Sequence, residues 1–165
     1  MSDLSHLDAA GRARMVDVTD KPLTDRTAVA EGTLTCAAVT VERAIAGDTP
    51  KGAVASTAEL AGVMAAKRTA ELIPLCHPLA LTRVAVTVTP DPALPGFRIR
   101  AEVRTHGQTG VEMEALTAVS VAGLTLFDML KAIDRTMVIG AIQVTAKSGG
   151  RSGDWGGDWG GGAAV

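Results

Sequence analysis

The residues with the most chemical potential in this chain are two carboxylates and three lysines set among small and aliphatic neighbours, together with one Cys-His pair between prolines. Asp128 and Lys131 are three apart, so they share a face if the surrounding stretch is helical. They are almost the only charges in some twenty apolar residues, where unpaired burial costs several kcal/mol. That context favours a functional role over an idle surface ion pair. Glu112 and Glu114 follow Gly110 at the start of the same stretch. For Glu114 the favoured reading is interaction with the positive end of the helix dipole. For Glu112, at a glycine-to-helix junction, projection into a cleft is an equal alternative. Leu72-Ile73-Pro74-Leu75-Cys76-His77-Pro78-Leu79 places a thiol and an imidazole on a rigid, extended connection. Adjacent side chains on such a segment point apart, so one faces a site and the other packs.

The lysines recur at junctions. Lys51 precedes Gly52, and Lys147 precedes Ser148-Gly149-Gly150. Consecutive small residues let backbone N–H groups approach a phosphate while the lysine adds charge. The pattern lacks the spacing of a Walker A loop, and alone it is weak. Histidines at 6, 77 and 106 and cysteines at 36 and 76 show no zinc-ligand spacing and no disulfide framework, which fits a reducing cytoplasm. A net charge of −2 and an aromatic content of 2% argue against general nucleic-acid binding and base stacking. The longest uncharged stretch, 115–127, is too short to span a bilayer, and no signal sequence is read at the amino terminus. The expectation is a soluble protein without a membrane partner.

The elements that must position these groups follow from periodicity. Residues 1–11 read as an arm, and Arg14–Val18 as a short added strand. Arg26–Cys36 reads as a small-residue strand, and Ala37–Ala46 as a short helix. Ser56-Thr57-Ala58-Glu59 has the spacing of a capping box and opens a helix that Pro74 ends at the latest. Val84, Val86 and Val88 alternate with polar or small residues, as do Phe97, Ile99, Ala101 and Val103, and the Pro-rich segment 90–96 between them predicts an antiparallel hairpin. A long helix is expected over Met113–Asp134, apolar on more than one face, so that one face covers the sheet and another meets a second subunit. A strand over Met137–Thr145 completes the series. From residue 26 the order is β-α-β-β-α-β, an α+β, ferredoxin-like split βαβ sandwich with an antiparallel sheet covered by helices. Residues 1–148 form one catalytic domain, and 149–165, with Gly-Asp-Trp-Gly twice, form a glycine-rich tail too poor in apolar surface to order itself.

Met15-Val16-Asp17-Val18, Ala65-Ala66-Lys67-Arg68-Thr69, the 72–79 segment, Thr109 to Ala118 and Ala146-Lys147-Ser148-Gly149-Gly150 occur in the order and spacing of one family. Over about residues 4 to 153 the sequence closely resembles the cyclic pyranopterin monophosphate synthases of molybdenum-cofactor biosynthesis. The resemblance implies a hexamer built as a trimer of dimers, with sites at subunit interfaces. It implies conversion of 3′,8-cyclo-7,8-dihydro-GTP to cyclic pyranopterin monophosphate and pyrophosphate. In the family, substrate-binding positions match Leu75, Cys76, His77, Glu112 and Met113, and the catalytic aspartate matches Asp128. Lys51, Lys131 and Lys147 match lysines around the substrate. On this basis Asp128 and Lys131 are expected to form the central proton-transfer pair, Lys131 being perturbed by apolar surroundings, while Lys51 and Lys147 hold phosphates. No cofactor or resident metal is implied, and whether a divalent cation accompanies the triphosphate stays open. Ala53 and Phe127 depart from the family's acidic residue and tyrosine without removing a proposed catalytic group. The rival readings are a non-catalytic nucleotide-binding domain on the same fold and a different ring-opening hydrolase.

Overall fold

A computed structural model describes residues 10–150 and 153–156. The elements run β1 (Thr24–Thr35), α1 (Ala38–Ile45), α2 (Val54–Ala66), α3 (Thr69–Leu72), β2 (Leu81–Asp91), β3 (Gly96–Gly107), α4 (Glu112–Leu130), β4 (Val138–Ser148) and β5 (Trp155–Gly156). The strands form one sheet in the order β2-β3-β1-β4-β5, with every neighbouring pair antiparallel. This is the β-α-β-β-α-β arrangement expected, with α1 as an addition.

Alternation along the strands decides which side of the sheet is covered. In β1, Ala28, Ala30 and Leu34 face the core, and in β3 Phe97, Ile99, Ala101 and Val103 do. The intervening Arg98, Arg100 and Arg104 lie on the open face, where Arg100 and Arg104 both pair with Glu102. Helices α2 and α4 cover the inner face through small residues. A Cβ on Gly62 would stand 3.0 Å from the Ala118 carbonyl, and one on Gly32 would stand 2.7 Å from Val119 Cγ1. With so few aromatic side chains, close helix-to-sheet approach is how this chain fills its interior. Burial of Leu126 is complete, and cutting such a leucine to alanine costs about 3 kcal/mol.

The far end of α4 is fastened by Asp134. Its carboxylate accepts hydrogen bonds from Ala37 N (2.8 Å), Thr40 Oγ1 (3.1 Å), Thr136 N (2.8 Å) and Thr136 Oγ1 (2.8 Å). The bonds from the backbone of Ala37 and Thr136 hold the Asp134 carboxyl down at about 2. It thereby ties the α1 N-terminus to the connection leading into β4.

Several expectations are corrected. Ser56 does not cap a helix: α2 begins at Val54 after Ala53, the Thr57 hydroxyl bonds the Ala53 carbonyl, and Glu59 accepts from Val88 N in the neighbouring strand at 2.9 Å. Arg14–Val18 is not a strand of the sheet; Ala13 alone holds an isolated bridge. Helix α4 stops at Leu130, with Lys131 as its C-cap, instead of running to Asp134. β4 continues to Ser148, which puts Lys147 on a strand. Within the expected tail, Trp155–Gly156 forms β5, pairing with Lys147 and Ala146. Residues 1–9, including His6, and 157–165 lie outside the described residues. By length and hydropathy α4 could cross a membrane, but over half of it is buried inside this domain, as in a core helix.

Candidate active site

The candidate residues gather at the two ends of α4. At its N-terminal end Leu75, Cys76, His77, Glu112, Met113 and Glu114 line a cavity of about 300 Å³. The extended Pro74–Pro78 connection supplies one wall and the first turn of α4 the other. His77 Nε2 donates to the Val16 carbonyl at 2.8 Å, because a carbonyl can only accept. The bond leaves Nδ1 to face a ligand as an acceptor when the ring is neutral. Burial, and then the Glu114 charge, push the Cys76 thiol up, so it stays protonated and packs as a small apolar wall.

Glu112 forms an ion pair with Lys147, which reaches across from β4. The pair is partly shielded, with side chains 28% and 18% exposed, so its charges are less screened than those of a surface pair. Gly110 makes room for it, since a Cβ there would collide with the Glu112 carboxylate.

Glu114 departs from the surface role read from sequence. It is only 4% exposed, and burial, with Glu112 nearby, raises its pKa. The signal was present in the sequence: positions 114, 118, 122 and 126 form one i,i+4 row, and Ala118, Ala122 and Leu126 are fully buried. A carboxyl on that row must enter the interior. Raised toward keeping its proton, it is the one acid in the cavity wall equipped to donate.

At the C-terminal end Asp128 lies between two ammonium groups, Lys51 Nζ at 2.5 Å and Lys131 Nζ at 2.6 Å. Hydrogen bonds from Lys131 and then Lys51 hold its carboxyl at about 2, so it is a full carboxylate near neutral pH. The expectation that apolar surroundings perturb Lys131 is corrected, because all three side chains are about half exposed. Leu124, Asp128 and Lys131 follow i, i+4, i+7 spacing on the outer face of α4, and Leu124 is itself exposed. The apolar composition of that helix reflects two apolar faces, one of them uncovered in a single chain.

The sixteen residues from Glu112 to Asp128 separate the two groups by about 24 Å along the helix axis. Within one chain the structure joins Leu75, Cys76, His77, Glu112, Met113 and Lys147, and separately joins Lys51, Asp128 and Lys131. It does not bring the two sets together.

Comparison with known proteins places this geometry. The family model described as MoaC family matches residues 15–150. A protein of Methylobacterium nodulans named cyclic pyranopterin monophosphate synthase is 63% identical over 151 residues, covering 92% of this chain and 94% of that protein. A Roseiflexus protein of the same name is 62% identical over 151 residues, with 92% and 96% covered. One from Nostoc, also so named, is 58% identical over 150 residues, with 91% and 89% covered.

Proposed function

The chain belongs to the MoaC family, and we infer that it is a lyase of molybdenum-cofactor biosynthesis with cyclic pyranopterin monophosphate synthase activity. Its substrate on this reading is 3′,8-cyclo-7,8-dihydro-GTP, and its products are cyclic pyranopterin monophosphate and pyrophosphate. The observation that carries the reading is the cavity at the start of α4, where a buried acid, a histidine with one free ring nitrogen and a lysine-paired carboxylate converge.

The reaction opens the reduced imidazole ring of the guanine, closes a new six-membered ring, and joins a ribose hydroxyl to the α-phosphate with loss of pyrophosphate. Each step moves protons at nitrogen or oxygen, and a positioned acid or base contributes about 10² to 10⁴ in rate to such a step. Glu114 serves as proton donor in the cavity, and His77 Nδ1 and Glu112 orient the base and sugar. Leu75, Cys76 and Met113 form the apolar wall. Asp128 accepts a proton once substrate draws Lys51 or Lys131 away, because a carboxylate held by two ammonium groups is a poor base. Lys51 and Lys147 take the phosphates, and any divalent cation would travel with the triphosphate.

The separation of about 24 Å between the two groups supports a site completed by a second chain. The Asp128–Lys131 end of one α4 meets the Glu112–His77 end of another, with the exposed Leu124 stripe as part of the contact. A hexamer built as a trimer of dimers, working in the cytoplasm, is the assembly we propose. Product analysis with the cyclised nucleotide and with plain GTP tests the whole reading. Pterin and pyrophosphate from the cyclised substrate alone support it. Binding without turnover would favour a nucleotide-binding domain, and hydrolysis of GTP a different ring-opening enzyme.

A further inference from the structure

The loop after β4 is built to hold an anion. Gly149 and Gly150 both have φ +84, and they press against β1 so closely that a Cβ on Gly149 would collide with the Asp25 carbonyl and one on Gly150 with the Arg26 guanidinium. Arg26 is 8% exposed and donates from Nε to the Gly107 carbonyl (2.9 Å) and from Nη2 to the Gln108 carbonyl (3.1 Å). Among the described residues no carboxylate pairs with it, so its charge stands uncompensated behind the loop. Lys147 adds a second cation beside it, and backbone N–H groups complete the concavity.

The chain fills this concavity with its own carboxylates. Glu112 occupies the Lys147 ammonium, and Asp154 Oδ1 accepts from Gly149 N at 2.8 Å. Asp154 is brought there by β5, whose Trp155 and Gly156 pair with Lys147 and Ala146. β5 is two exposed residues long, so opening it breaks little structure.

We propose that Asp154 is an internal stand-in for phosphate, closing the Lys147–Gly150 anion site in the free chain and giving way to the triphosphate or pyrophosphate group of the nucleotide. This rests on the synthase reading for the identity of the anion. Displacement peels β5 from β4. When phosphate takes Lys147, Glu112 is freed from its ion pair for the base and sugar, which couples occupancy of the phosphate site to readiness of the cavity. After turnover, return of the Asp154 carboxylate to Gly149 N speeds departure of pyrophosphate.

The test is calorimetric binding of inorganic pyrophosphate to the full chain and to Asp154→Asn. Asparagine keeps an acceptor for Gly149 N and removes only the charge. The variant is expected to bind pyrophosphate about threefold to fivefold more tightly at low salt, the difference shrinking as ionic strength rises. In the unsubstituted chain, pyrophosphate should speed hydrogen exchange at the Trp155 amide as β5 leaves. Equal or weaker binding by Asp154→Asn, unchanged exchange at Trp155, or no pyrophosphate binding by either protein overturns the proposal. The readout needs no turnover. If the cyclised nucleotide yields no pterin while Asp154→Asn still tightens pyrophosphate binding, the synthase reading falls and the anion site stands.

Discussion

Two variants that each destroy one end of the site should rescue one another when mixed. Glu112→Ala removes the carboxylate at the start of α4, and Asp128→Ala removes the one near its end, about 24 Å away. If each site takes one end from each of two chains across a two-fold axis, either variant alone has every site defective. In a randomly assembled equal mixture, half of the dimers are mixed, and each mixed dimer has one site with both defects and one with neither. The expected turnover is therefore about one quarter of the unsubstituted enzyme, against near zero for each parent. The assay is pterin formation by the two chains co-expressed with different tags, with mixed oligomers verified by native mass spectrometry. Mixed oligomers no more active than the parents would refute the shared site and require both ends of α4 to serve separate purposes within one chain.

Other expectations follow from single side chains. Asp134→Ala leaves the Ala37 and Thr136 N–H groups without their acceptor and should cost about 3 kcal/mol in denaturant unfolding. Because the folded Asp134 carboxyl titrates at about 2 against an ordinary 3.8, its contribution is present above pH 3.8 and lost as pH falls through about 2. The variant should accordingly show a flatter acid limb in a stability–pH profile. Glu114→Gln should slow turnover by about 10²-fold while relieving a cost of burial. Since the folded pKa of Glu114 is raised, the native chain loses stability as pH rises through that value, and the glutamine variant should unfold later than the parent only on the alkaline side. Gly110→Ala should displace the Glu112 carboxylate from Lys147 and depress turnover with little change in melting temperature, so a large loss of stability would contradict the geometry.

The fold was readable where burial imposes a period on the sequence. Val86 and Val88 alternate because one face of β2 is covered, and Phe97 to Val103 alternate for the same reason. Local signals failed where tertiary partners outbid them. Ser56 carries a capping-box pattern, but Glu59 bonds Val88 N across to the sheet, and the helix had already started at Val54. Met15 to Val18 look strand-like, yet the sheet edge beside them is closed by β2, and the segment instead receives the His77 ring at Val16. At the site, residue types and the family resemblance pointed to Leu75–His77, Glu112 and Met113, which the fold collects around one cavity. Glu114 was misassigned because its helix row was not followed inward, and Lys131 because an apolar helix was equated with a buried one.

The glycine and alanine contacts beneath α4 have a consequence for how this chain can vary. Gly62 against Ala118, Gly32 against Val119 and Gly123, whose Cβ would stand 3.2 Å from Ile139 Cγ2, leave no slack between helix and sheet. Substitution there is one-directional: a larger residue must lift α4 as a rigid rod, and both ends of the rod carry functional groups. A single added methyl at mid-helix would thus shift Glu112 and Asp128 together without touching either. Sequence drift at these inconspicuous interior positions should be slower than at many exposed charges, and loss of activity from it should arrive before loss of fold.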